Sequence, residues 1–160
     1  MKKGYGYKQG KFVPRNKEKY IGCLQKIYFR SAWELQCFRY MDLNPAILQW
    51  GSESTVVEYV DPSRAGTTHR YFIDLSFTVK DKTGKISKIY CEVKPHKETI
   101  MPVKGRKSDK RYYEEAMTYI RNTAKWNAAS KFAEAKGAKF IILTEKEIFP
   151  AGVPKMSADK

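Results

Sequence analysis

Acidic residues are scarce in this 160-residue chain: 17 aspartates and glutamates face 31 lysines and arginines, a formal charge of +14 at pH 7. An imbalance of that size implies a polyanionic partner held with salt-sensitive affinity, and nucleic acid is the leading candidate. Long hydrophobic runs are missing as well. No stretch is apolar enough to span a bilayer, and the start, Met1-Lys2-Lys3-Gly4-Tyr5-Gly6-Tyr7, has no secretory-type hydrophobic segment, so a cytoplasmic protein is expected. The basic residues form no sustained amphipathic helical stripe, which argues against a membrane partner. Cysteine is sparse and odd in number. Cys23, Cys37 and Cys91 have no metal-ligand spacing and two lie within apolar patterns, so buried thiols are expected in place of a disulfide or zinc site. The remaining composition, 42% hydrophobic, suits one compact domain with a real core.

Over residues 70–79, Tyr71, Ile73, Leu75, Phe77 and Val79 alternate with Asp74, Ser76 and Thr78, which predicts a half-buried strand. A second run over residues 86–94 puts Ile89, Cys91 and Val93 on one face and Lys88, Tyr90, Glu92 and Lys94 on the other. Asp81-Lys82-Thr83-Gly84 between them reads as a hairpin turn, with Gly84 free to take positive φ. A three-residue loop sets Asp74 opposite Glu92, and the need for both apolar sets to share one face selects the same register.

Opposed side chains have Cβ atoms roughly 4.5–5.5 Å apart. Two unit charges at about 5 Å and an effective dielectric near 20 repel by roughly 3 kcal/mol. A hard divalent cation relieves this, with Mg²⁺ the natural choice, Mn²⁺ a substitute, and the Val93 carbonyl a further ligand. Lys94, on the same face as Glu92, can orient or help deprotonate an attacking water, or stabilise charge on phosphate. The same residues also suit an Asp74–Lys94 cross-strand ion pair with Glu92 solvated, worth under about 1 kcal/mol.

Basic residues gather in two places. An N-terminal arm over residues 1–27 carries Lys11 and Arg15, with Arg30 just beyond it, interleaved with aromatic residues such as Phe12, Tyr20 and Tyr28. Such an arm can follow a phosphate backbone, or it can pack on its own domain. Lys94, His96, Lys97, Lys104, Arg106, Lys107, Lys110 and Arg111 follow the acidic motif directly, where substrate contact is expected; His96 is either a phosphate ligand or an exposed loop histidine. Arg70, ahead of Asp74, joins the DNA-binding set.

Ser31-Ala32-Trp33-Glu34 opens a helix running to about Asp42, with Trp33, Cys37, Phe38 and Met41 as its buried stripe. Glu34 can close a capping box with Ser31 or reach the metal as a third acid. Trp50-Gly51-Ser52-Glu53-Ser54 reads as a linker into a strand over residues 55–60, and residues 61–66 as the turn back to Asp74. A long helix is expected from Ser108 or Asp109 to about Lys136, broken near Asn122-Thr123, with Tyr113, Met117, Ile120, Ala129 and Phe132 inward. Residues 140–143 form a buried strand joining the sheet in parallel after this crossover. The fold class is α/β: an antiparallel three-strand meander with a following helix and parallel strand, flanked by helices, over residues 28–149. Residues 150–160 read as a tail.

That order of elements, with Glu34, Asp74 and Glu92-x-Lys94, resembles the restriction-endonuclease-like PD-(D/E)xK superfamily and its transposase-A-type branch. More narrowly, Tyr28-Phe29-Arg30-Ser31-Ala32-Trp33-Glu34, Trp50-Gly51-Ser52-Glu53, Arg70-Tyr71-Phe72-Ile73-Asp74, Glu92-Val93-Lys94-Pro95 and Asn122-Thr123-Ala124-Lys125-Trp126 resemble the head completion nucleases of myovirus-type tailed phages. Ile73 replaces the proline that names the superfamily. The resemblance implies Glu34, Asp74 and Glu92 as metal-coordinating carboxylates and Lys94 as the catalytic lysine. It further implies a Mg²⁺-dependent DNA endonuclease of virion assembly, trimming DNA at the portal vertex with portal or neck proteins as partners. Its setting would be the host-cell cytoplasm and then the virion head or neck. A structural head-to-tail joining protein with a nuclease fold is the alternative. The role of Lys125 and Trp126 is left open.

Overall fold

The computed structural model describes residues 9–150; residues 1–8 of the arm and residues 151–160 of the tail lie outside it. A four-stranded sheet organises the chain: β3 (Ile47–Asp61), β4 (Thr67–Lys80) and β5 (Ile86–Val93) form the antiparallel meander, and β6 (Lys139–Leu143) lies parallel to β5. The helix α1 (Ala32–Leu43) precedes the meander, and α2 (Asp109–Ala135) makes the crossover between β5 and β6. A two-stranded pairing of β1 (Gly10–Lys11) with β2 (Tyr28–Phe29) flanks α1. A short α3 (Glu145–Ile148), capped by a reciprocal Thr144–Glu147 box, follows β6 and was not expected.

Both faces of the sheet are covered. Tyr90 and Cys91 are successive on β5 and so point to opposite sides. Cys91 belongs to a core with Leu35, Phe38 and Met41 of α1 and the fully buried Trp50, whereas Tyr90 belongs to one with Ala129 and Ala133 of α2. This corrects the expected half-buried meander: Ser76, Tyr90 and Glu92, assigned to a polar face, are buried. The alternation along β4 also fails at Asp74. Tyr71 and Ile73 pack with the α2 core, Leu75 and Phe77 with the α1 core.

Residues 50–54 are not a linker. They belong to β3, whose register against β4 shifts between Ser52 and Thr55, with Glu53 in the left-handed region at φ 49°. A β-bulge has the Gly and Ser composition of a loop and is read as one. The helix α2 is continuous through Asn122 and Thr123; Asn122 is buried and the Thr123 hydroxyl donates to the Tyr119 carbonyl within the helix. Its expected stripe is only half right. Burial begins at Asn122 and continues through Trp126, Ala129 and Ala133, while Tyr113 and Ile120 are exposed. In α1, Leu35 is buried and Trp33 only partly, its ring edge-on to Phe149.

Residues 9–27 lie on the domain. Phe12 and Ile27 enter the α1 core and share the Phe12 N–H to Ile27 carbonyl bond, and the N–H groups of Arg15 and Asn16 donate to the Asp42 carboxylate at 2.8 and 2.9 Å. Of the two possibilities for the arm, this stretch takes the packed one. Cys37 and Cys91 are buried free thiols, and burial pushes Cys37 up to about 12.

Candidate active site

Three turn residues set the site. Asp81 N–H donates to the Lys85 carbonyl at 2.9 Å, leaving a three-residue loop with Gly84 at φ 86°. The ladder then runs from Lys80↔Ile86 to Leu75↔Cys91, the register expected from the sequence. Asp74 and Glu92 come next in that register, and there the two strands part. The Val93 N–H donates to the Asp74 side chain, Oδ2, at 2.9 Å, while β5 continues its pairing with β6 through Val93↔Leu143 and the Lys94 N–H to Leu143 carbonyl bond.

At this fork Glu92 is 4% exposed. Its Oε2 accepts a hydrogen bond from the Tyr71 hydroxyl, and its Oε1 lies 3.5 Å from Lys94 Nζ. Burial and then the charge of Glu92 hold the Asp74 carboxyl well above the usual carboxylate range. Burial by itself lowers the Lys94 ammonium, but the charges of Glu92 and Asp74 outweigh it and the net shift is upward. Lys94 therefore stays a cation beside two acids. The alternative reading, an Asp74–Lys94 ion pair with Glu92 solvated, is not what forms; the bridge is to Glu92, which is buried.

Glu34 enters from the first turn of α1. Ser31 caps that helix, its Oγ accepting the Glu34 N–H at 3.1 Å. The reciprocal half of the box is displaced by one residue: Glu34 Oε2 takes the N–H of Arg30, at 2.8 Å, in place of that of Ser31. Burial raises the Glu34 carboxyl, the Arg30 hydrogen bond and charge oppose it, and the charges of Glu53 and Glu92 add to the rise. Glu34 is thus in the field of the pair while its carboxylate is held by Arg30. Among the described residues, no three His, Cys, Asp or Glu side chains are gathered closely enough to hold a metal ion as they stand. The donor set fits a hard divalent cation in kind: buried carboxylate oxygens, two of them repelling each other at one fork. Val93, the other expected ligand, lies between Glu92 and Lys94 with its N–H on Asp74.

His96 apart, the expected DNA-binding residues fall into two groups. Lys11, Arg15, Lys97, Arg106 and Lys110 are exposed, as is Arg70, whose guanidinium lies over the Phe72 ring. Arg30 pairs with Glu53, Lys104 with Asp109 at 2.8 Å, and Lys107 and Arg111 share Glu115. Exposed pairs of this kind are worth under about 1 kcal/mol, so exchange for phosphate costs little. His96 is tethered to α3, its N–H donating to Glu145 and its ring 3.2 Å from Lys146 Nζ.

Two residues at the site escaped sequence reasoning, Tyr71 and Glu53, and a third, Lys125, was singled out by resemblance with its role left open. Tyr71 looked like plain core on an alternating strand. Arg121 and Lys125 were the available signal on α2, two cations one helical turn apart; Arg121 binds Asp61, and Lys125 lies over the rings of Tyr59 and Tyr71.

The model of TnsA-like endonuclease N-terminal domains matches residues 44–145 of this chain, a span that contains Asp74, Glu92 and Lys94 and leaves Glu34 outside. The head completion nuclease of Enterobacteria phage T4 is 44% identical over 140 residues, covering 85% of this chain and 90% of that protein. A sheet that forks at paired acids, the family match over the whole of that sheet and near full-length similarity to a named nuclease agree: the chain belongs to the TnsA-like endonuclease family, within the restriction-endonuclease-like superfamily.

Proposed function

We propose that this protein is a DNA endonuclease that depends on a divalent metal ion, with Mg²⁺ the expected ion and Mn²⁺ a substitute, and that it acts in phage head completion. The observation that carries this reading is the fork at which Asp74, Glu92 and Lys94 meet, two acids in mutual repulsion beside one retained cation. Asp74 and Glu92 would hold the metal, with Glu34 and the Val93 carbonyl completing its shell. When bound, the metal supplies Lewis-acid stabilisation of a phosphodiester under attack by water. Lys94, kept protonated by its neighbours, places positive charge where charge develops on phosphate. Lys97, Arg106, Lys110 and Arg70 contribute exposed positive charge for the DNA strand, and Lys104, Lys107, Arg111 and Arg30 join once released from their carboxylates.

The name of the phage T4 protein supports a role in head completion. The substrate would be DNA at the portal vertex, the partners portal or neck proteins, and the location the host-cell cytoplasm followed by the virion head or neck. The test is cleavage at low salt of linear, circular and overhang-bearing DNA by the wild type and Asp74→Ala, with Mg²⁺, Mn²⁺ or EDTA. Cutting that needs metal and disappears in Asp74→Ala is expected. DNA binding without cutting under every condition would replace the enzyme with a structural joining protein.

A further inference from the structure

We infer that Tyr71 is a positioning residue for Glu92 and is itself held by Lys125, an inference that rests on Asp74 and Glu92 being a metal-holding pair. Tyr71 is 5% exposed on β4, three residues before Asp74 and on the α2 side of the sheet. Its hydroxyl donates to Glu92 Oε2, so the oxygen left for the fork is Oε1, the one beside Lys94. A buried glutamate has three rotatable side-chain bonds and no bulk water to share its lone pairs. One fixed donor decides which oxygen it presents.

The chemistry of the donor matters as much as its position. A second lysine or arginine on Glu92, added to Lys94, would offset more of its charge and compete with a metal cation. A phenol that keeps its proton orients the carboxylate and leaves its charge intact. The ring is in turn gripped from α2: Lys125 Nζ lies 5.6 Å from the Tyr71 centroid and 5.8 Å from that of Tyr59, cation–π distances that tie α2 to both strands. A path of direct contacts therefore runs from Lys125 through Tyr71 to Glu92.

Removing the hydrogen-bond partner of a metal-ligating group typically weakens metal affinity about 10–100-fold. Tyr71→Phe keeps the ring and deletes the hydroxyl, so Mn²⁺ titrated into the DNA-free protein should bind about tenfold more weakly, while DNA affinity in EDTA stays as in the wild type. Cleavage by Tyr71→Phe should recover at excess Mn²⁺. Tyr59→Phe, altered under the same lysine and with no bond to Glu92, should bind Mn²⁺ like the wild type. Equal Mn²⁺ affinity in wild type and folded Tyr71→Phe would overturn the inference and leave the metal reading standing; no Mn²⁺ binding by the wild type would overturn both. Should Tyr71→Phe not fold, Lys125 decides: a loss of a few-fold in Lys125→Met, restored in Lys125→Arg, supports the clamp, and wild-type affinity in Lys125→Met refutes it.

Discussion

Asp61 and Asp74 are aspartates of adjacent strands in one sheet, and the fold treats them in opposite ways. Asp61 is fully buried at the end of β3, where its Oδ1 accepts from the N–H and hydroxyl of Ser63 and its Oδ2 from Arg121, with Arg64 also close. Burial pushes its carboxyl up, but the Ser63 and Arg121 hydrogen bonds outweigh it and hold it below the ordinary range. Asp42, also buried, is supplied with the N–H groups of Arg15 and Asn16. Asp74 has one N–H and a second acid, Glu92, across the fork, and it is raised. Where donors saturate an acid it holds the chain together; where they are withheld, the acid is available to something from outside.

Exchanging the two charges should separate these roles most sharply. In Asp74→Asn, loss of about 3–4 kcal/mol of charge stabilisation corresponds to cleavage slower by roughly 10²–10³-fold. In EDTA the same variant should melt no lower than the wild type, because a repulsion has gone. Asp61→Asn should do the reverse: Tm falls by several degrees and the folded remainder still binds metal. The pH dependence of melting in EDTA also has opposite signs. Asp61, depressed in the folded protein, contributes stability above its unfolded pKa of about 3.9 that is lost as pH falls through its lowered folded value. Asp74, raised in the folded protein, takes up its proton there first, so metal-free stability declines as pH rises from that unfolded value through the raised one. Asp74→Asn should flatten that decline. A melting profile identical to the wild type across about pH 4–8 would mean that Asp74 is not strained in the absence of metal.

The same contrast explains what the sequence disclosed. Asp74, Glu92 and Lys94 were legible because a hairpin's register follows from turn length and apolar alternation, and both are local. The parallel return of β6 was legible from the crossover helix. The long-range partner that distinguishes Asp61 from Asp74 was not, since Arg121 arrives from α2 and carries no local mark of which strand it reaches. The bulge at Glu53 was hidden for a related reason: a left-handed residue within a strand is selected by its partner strand, while its own neighbours read as loop. The exposure of Tyr113 and Ile120 depends on which turns of α2 meet a tertiary partner, which helical periodicity does not encode.

Glu34 tests the division where it is finest, because the first turn of α1 serves both purposes. Ser31→Ala removes the acceptor for the Glu34 N–H and should cost about 1 kcal/mol of stability, read in urea melts. Its effect on Mn²⁺ affinity should stay within a few-fold. Glu34→Gln retains that backbone N–H and an amide oxygen able to accept from Arg30, so stability should change by no more than about 0.5 kcal/mol. The amide cannot replace a carboxylate as an anionic ligand, and Mn²⁺ affinity should fall about tenfold or more if Glu34 completes the shell. The two variants then cross, one losing stability and the other metal. Wild-type Mn²⁺ affinity and full cleavage in folded Glu34→Gln would assign Glu34, like Asp61, to the acids that hold the chain together, leaving Asp74 and Glu92 as the metal-holding pair.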